Sequence, residues 1–206
     1  MHRNWNPRVG NDLLVESRCP VVIQSRSWNP WYVSLFSKGT TPMKMQNLQD
    51  LLLDQVRDLY DAEKQLVKAL PKMAEAASSP QLKRAFEDHL QQTRGHVTRL
   101  EEVFKHLSHS PKAKSCKAME GLVEEGAELI DAKAEPEVRD AGLIAAAQKV
   151  EHYEIAGYGC LSTWADQLSL GEVKRLLGET LEEEKQADHL LNQIAESQIN
   201  AQSASR

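Results

Sequence analysis

Two glutamates, Glu151 and Glu154, lie in the stretch IAAAQKVEHYEIAGYG at positions where a packed helix ordinarily carries apolar side chains. With Ile144, Ala147 and Tyr158 they follow alternating spacings of three and four, the period of a helix face packed against other helices. An unpaired charge in a dry core is costly. Adjacent carboxylates on one face can instead share metal ions, which favour oxygen ligands.

Three other segments show the same interruption of an apolar helical face. Glu63 follows Leu59 on one face, and His89, Thr93 and His96 occupy consecutive face positions on another. Glu184 interrupts a third face near the C-terminus. Carboxylates and imidazoles together are ligands for iron or manganese. The predicted metal ligands are Glu63, His89, His96, Glu151, Glu154, Glu184 and Asp188, the last one position off its face.

These residues must be positioned by helices, because residues 46–197 are rich in Ala, Leu, Glu, Lys and Gln. Breaks such as SSP, AEPE and SLG separate the helical patterns, and Pro71 is expected to kink the first helix. The predicted helices span 46–77, 80–107, 116–132, 137–167 and 171–197. Short loops make neighbours antiparallel, so we predict an all-α, four-helix bundle with an additional shorter helix. Antiparallel packing brings the polar residues near the middle of each helix to one level.

The first 44 residues differ in character from the rest of the chain. Three of the four tryptophans lie there, beside Asn-Pro pairs and without a sustained helical period. We expect residues 1–44 to be a disordered or non-native extension, with Met43 or Met45 as the natural start; a docking arm is the alternative. Residues 45–198 are predicted to form the bundle and 199–206 a disordered tail.

Charge and composition exclude several classes of function. The chain has 206 residues and a net charge of −5, and residues 1–42 carry +3, which leaves −8 for the remainder. This charge argues against a nucleic-acid-coating protein. Three separated cysteines without a C-x-x-C motif favour a reducing compartment. The sequence contains no long apolar run and no signal-peptide pattern, so a cytoplasmic location is expected.

Five stretches together resemble the YciF/DUF892 family of ferritin-like stress proteins. They are LYDAEKQLVKALPKMAEAA, AFEDHLQQTRGHVTRLEEVF, CKAMEGLVEEG, DAGLIAAAQKVEHYEIAGYG and LLGETLEEEKQADHLL. The resemblance implies a ferritin-like bundle related in plan to rubrerythrin, commonly dimeric, with a di-iron centre. It therefore implies two metal ions, iron or manganese, a homodimer, and oxygen or peroxide as a small substrate.

The histidines depart from the wider ferritin-like pattern, in which two helices each carry Glu-x-x-His. Thr93 stands three residues before His96 where a glutamate is expected, and Ala187 stands three residues after Glu184 where a histidine is expected. His89 is a substitute ligand one turn earlier. The four glutamates match the carboxylate positions, so metal binding is better supported than ferroxidase or peroxidase activity.

Other interpretations fit the same residues. The carboxylates could form a buried network with Tyr158 or Thr180, and a histidine could orient a ligand rather than bind metal. Glu120 could face the same level of polar side chains in the bundle, or it could lie at the boundary between the apolar and polar faces of its helix. The run Glu182 to Glu184 is mostly a solvated face. Tyr60 and Tyr158 could donate to a metal-bound ligand or simply pack. The alternative function is a non-catalytic, stress-induced helical interaction protein with a vestigial polar layer.

Overall fold

The computed structural model describes residues 45–205, which form helices joined by short loops. The helices are α1 (Leu48–Ala76), α2 (Pro80–His106), α3 (Lys117–Asp131), α4 (Pro136–Gln167) and α5 (Gly171–Ile194), followed by a π-helical turn (Ala195–Ile199) and α6 (Asn200–Ala204). The predicted all-α class is confirmed, and every predicted helix is present with its ends shifted by three residues or fewer. The disordered segment expected at 1–44 lies outside the described residues. Within 45–205, no helix combines the length and hydropathy needed to cross a membrane.

Local sequence signals determine where the main helices begin. The side chains of Asn47 and Ser79 each accept a hydrogen bond from the main-chain N–H three residues on, which caps α1 and α2. Pro80 and Pro136 occupy the first turns of α2 and α4, where a missing N–H costs nothing. Helix α1 continues through Pro71 without a break.

Two apolar clusters show that neighbouring helices of the bundle run antiparallel. The first cluster joins the start of α1, the end of α2, the end of α4 and the start of α5, through residues such as Leu52, Phe104, Leu161 and Val173. The second joins the opposite ends of the same helices, through Leu70, Phe86, Leu143 and Ile194, and includes Met119 of α3. A buried polar layer divides the two clusters. The predicted four-helix bundle with a shorter helix is therefore the observed fold.

The C-terminal segment differs from the disordered tail predicted for 199–206. The chain stays helical through Ala204, Ile199 is only 1% exposed, and the Ser203 hydroxyl donates to the Glu137 carbonyl at 2.7 Å. Ile199 follows Ile194 by five residues, a spacing that the five-residue π-helical turn accommodates. The sequence pattern looked interrupted there because an ordinary α-helix places face residues three or four positions apart. Arg206 lies beyond the described residues.

Candidate metal centre

The polar layer between the two apolar clusters receives acidic or imidazole side chains from all four bundle helices. Each of these residues is buried, and four of them have no exposed surface at all. The layer contains Glu63 from α1, His89 and His96 from α2, Glu151 and Glu154 from α4, and Glu184 from α5. Six of the seven residues predicted as ligands thus lie at one level of the bundle.

These side chains form two groups that share Glu184. One group is His89, Glu151, Glu154 and Glu184, and the other is Glu63, His96 and Glu184. In each group, one ligand atom from every residue lies within 4.8 Å of the others. A carboxylate common to both groups can bridge two ions, so the arrangement can hold a metal.

The two histidines each direct one ring nitrogen at the carboxylates. His89 Nε2 lies 3.4 Å from Glu151 Oε1 and 3.8 Å from Glu184 Oε2. His96 Nδ1 lies 3.0 Å from Glu184 Oε1 and 3.5 Å from Glu63 Oε1. The other nitrogen of each ring donates outward, from His89 Nδ1 to Gln92 at 3.2 Å and from His96 Nε2 to Glu183 at 2.8 Å. These outward bonds leave the inward nitrogens available as ligands.

Most of the inward-facing polar atoms lack hydrogen bonds. Among residues 45–205, neither carboxylate oxygen of Glu154 has a hydrogen-bond partner, and the same holds for one oxygen each of Glu63, Glu151 and Glu184. Native interiors satisfy nearly all buried polar groups, and each exception needs an explanation. A bound metal ion would supply that explanation, because coordination satisfies carboxylate oxygens without any hydrogen-bond donor. The residues present fit a metal centre.

Burial and neighbouring charges shift the pKa values of the side chains in the polar layer. Desolvation raises the pKa of Glu63, and it raises those of Glu151 and Glu154 well above the usual range, with further contributions from neighbouring carboxylates. Desolvation also raises the pKa of Tyr158. For His96 burial lowers the pKa, but the carboxylates of Glu184 and Glu63 raise it to about 10. Without a cation the layer therefore retains protons that a bound metal would displace.

A salt bridge outside the layer holds His96, and the sequence interpretation missed it. Arg99 donates two hydrogen bonds to the Glu183 carboxylate, at 2.9 and 3.1 Å, and a third to Thr180 at 2.6 Å. Burial acts to raise the pKa of Glu183, but the hydrogen bonds and the positive charge of Arg99 outweigh it, so that the pKa lies below its usual value. The prediction that Glu183 lies on a solvated face was incorrect, since its side chain is only 32% exposed. The position of Arg99 one turn after His96 was the available signal.

Two further residues complete the layer. The Tyr158 hydroxyl donates a short hydrogen bond to Glu63 Oε1, and so fixes one of that residue's oxygens. Thr93 stands where the ferritin-like pattern has a glutamate, and its hydroxyl donates to the His89 carbonyl at 2.8 Å. Thr93 therefore satisfies its own hydroxyl within α2 rather than contributing a ligand.

Several candidates lie away from both groups. Asp188 Oδ1 lies 3.3 Å from Nε2 of the exposed His152, outside the two ligand groups. Glu120 pairs with Lys117 at the start of α3, and Tyr60 donates to Glu101 at 2.9 Å. The helical rotation that puts Asp188 one position off the apolar face accounts for its separation from the layer.

Comparison with known proteins identifies the family. The family described as "Domain of unknown function (DUF892)" matches residues 47–204. The chain belongs to the DUF892 family. Protein YciF of Escherichia coli strain K12 is 48% identical over 159 residues, which cover 77% of this chain and 96% of YciF. The resemblance predicted from the five sequence stretches is confirmed.

Solved structures of similar proteins share the fold. The crystal structure of the E. coli stress protein YciF matches with a TM-score of 0.73 at 48% identity, over 76% of this chain and 99% of that one. The Rhodopseudomonas palustris protein YcfI matches with a TM-score of 0.72 at 42% identity, over 74% and 98%. A Xanthomonas campestris protein at 20% identity and a TM-score of 0.60 covers 75% of this chain and 95% of its own, and shows the fold alone.

Proposed function

We propose that this DUF892 protein binds two divalent metal ions, iron or manganese, in its buried polar layer and uses them in a stress response. The observation that carries the proposal is Glu154, which is 0% exposed and has, among the described residues, no hydrogen-bond partner for either carboxylate oxygen. A buried carboxyl group without a hydrogen-bond partner destabilises a fold, whether it is ionised or holds a proton. A cation removes that cost.

The charge of the layer supports two ions rather than one. Four carboxylates, from Glu63, Glu151, Glu154 and Glu184, face inward. With both histidines neutral, four negative charges are balanced by two divalent cations, whereas a single ion would leave excess buried charge. Glu184 belongs to both ligand groups and is the bridging candidate. Glu63 and His96 would hold one ion, and His89, Glu151 and Glu154 the other.

The protein's own residues would fix the geometry of such a centre. Glu183, held by Arg99, accepts a hydrogen bond from His96 Nε2–H and so keeps Nδ1 directed inward. Gln92 does the same for His89. The Tyr158 hydroxyl orients Glu63. When bound, iron or manganese would supply redox chemistry toward oxygen or peroxide.

The relation to YciF supports a role in stress, because that relative is described as a stress protein. Iron oxidation and peroxide removal are the two outcomes that suit a carboxylate-rich centre. A cytoplasmic homodimer, as expected from the sequence, stays a prediction.

A structural role is the second candidate, because it has been suggested for the Rhodopseudomonas palustris relative. In that case the polar layer would fix the register of the bundle, as buried polar groups do in some helical proteins. The number of unpartnered oxygens favours metal binding, since a purely structural network is expected to satisfy its members.

Metal analysis separates the two candidates. We expect about two iron or manganese ions per chain after anaerobic loading. A Glu154→Gln variant should lose bound metal and keep its helical circular dichroism, whereas a matched Glu182→Gln variant on the exposed face should load normally. Absence of metal from the loaded wild-type protein would favour the structural role.

A further inference from the structure

Within residues 45–205, an opening at the surface is lined by two residues of the polar layer. This opening has a volume of about 260 Å³ and lies between α2 and α5, with Glu151 of α4 at its inner end. His89 also lines it, and its side chain keeps 8% of its surface exposed. The walls are formed by Phe86, Gln92, Ala187 and Leu190, among others.

The opposite side of the layer is closed. The side chains of Glu63 and His96 are 0% exposed. The paired Glu183 and Arg99 lie over His96, and Tyr158, which is also 0% exposed, lies against Glu63. The two ligand groups therefore differ in access, although they share one carboxylate.

We propose that the opening between α2 and α5 is the route by which metal ions and a small oxidant such as peroxide reach the layer. A metal ion held by His89 and Glu151 would then exchange with the solvent, whereas a metal ion held by Glu63 and His96 would remain bound. This inference rests on the proposed metal centre and deepens it, since it assigns different roles to the two ligand groups.

The size of the opening limits the substrate class. A volume of about 260 Å³ admits several water molecules, each of which takes roughly 30 Å³ in the liquid. This volume is near the lower end of the range of about 300–1,000 Å³ for sites that bind drug-sized organic ligands, so the opening suits small species best. The walls combine apolar groups with the amides of Gln92 and Gln186 and the carboxylate of Asp88, so they present no cationic cluster for a phosphorylated or polyanionic substrate. A hydrated cation or peroxide fits the opening.

Filling the opening tests the route. In Ala187→Trp a large side chain occupies the opening without replacing any proposed ligand. The matched control is Ala156→Trp, which fills a second hollow of about 260 Å³, lined by residues of α1 and α4 and by none of the proposed ligands. Each protein is loaded with iron, its iron content and helicity are measured, and azide is then added as a small anionic probe.

We expect azide to bind the wild-type and Ala156→Trp proteins at the same rate, and Ala187→Trp about tenfold more slowly or not at all. Iron release to a chelator should be biphasic in the wild type, and the fast phase should slow in Ala187→Trp. Leu190→Trp, at the exposed edge of the opening, serves as a second blocking variant if Ala187→Trp folds poorly.

Equal azide rates in all proteins, or iron release in a single phase unaffected by either blocking variant, would overturn the assigned route. Failure of the metal centre itself would be seen earlier, as wild-type protein that takes up no iron in the loading step. The two failures are therefore distinguishable.

Discussion

Replacing Glu154 with methionine should stabilise the metal-free protein. Glu154 is fully buried, and within residues 45–205 neither of its oxygens has a hydrogen-bond partner. Methionine has a similar length and no strongly polar atom, so Glu154→Met removes the unsatisfied group with little change in volume. An unsatisfied buried polar group costs about 1–3 kcal/mol. We therefore expect the free energy of unfolding of metal-free Glu154→Met to exceed that of the wild type by about 1–3 kcal/mol.

The same substitution should have the opposite effect in the presence of metal. The wild-type protein gains stability from a ligand that binds only the folded state, about 4.1 kcal/mol at a thousandfold excess over the dissociation constant, which exceeds the advantage of about 1–3 kcal/mol expected for the metal-free variant. Glu154→Met lacks an oxygen ligand and should gain much less. The order of stability between the two proteins is thus expected to reverse when iron or manganese is added.

Thermal unfolding monitored by circular dichroism measures both effects. For a domain of this size, 1 kcal/mol shifts the midpoint by about 2–4 °C, so a change of about 2 kcal/mol is readily resolved. Glu182→Met is the control, because Glu182 lies on the exposed face of the same helix and its loss should change stability by less than about 0.5 kcal/mol. If chelator-treated Glu154→Met unfolded several degrees below the wild type, the Glu154 carboxylate would be well satisfied without metal, which would contradict this prediction.

Three other predictions follow from the site and its surroundings. Glu183→Ala should lower metal affinity about 10–100-fold by releasing His96, whereas Glu182→Ala should not, as titration with manganese will measure. Burial raises the pKa of Glu154, and neighbouring carboxylates raise that of His96 to about 10, so the metal-free fold retains protons that the unfolded chain loses. Its stability in urea should therefore decline as the pH rises from 5 to 9, and this slope should weaken in Glu154→Met; an unchanged slope would contradict the assignment. Ile199→Ala should lower the thermal midpoint, because Ile199 is buried against the core, and an unchanged midpoint would mean that the packing of the π-helical turn contributes no stability.

Helical periodicity predicted the bundle and the residues of its polar layer, because this period determines which side chains face inward. A face that alternates three and four positions must pack inward, so Glu63, Glu151 and Glu154 could be assigned to the core without a structure. The level of each residue along its helix then followed from short loops and antiparallel packing.

The features that sequence reasoning missed depend on contacts between helices rather than on position along one helix. Glu183 lies beside the apolar face and looked solvated, yet Arg99 and His96 of another helix hold it. Asp188 lies beside the same face and points away from the layer, toward His152. Periodicity cannot separate these two cases, because both residues are one position off the face. The burial of Ile199 likewise depended on a π-helical turn that spacing rules for an α-helix do not include.

X-ray diffraction at the iron absorption edge, from crystals grown anaerobically with ferrous iron, would test the central claim most directly. The account predicts two anomalous peaks in the buried layer, one beside Glu63 and His96 and the other beside His89, Glu151 and Glu154, with Glu184 between them. Crystals of the iron-treated protein with no anomalous peak in this layer, or with iron only at surface carboxylates, would contradict it.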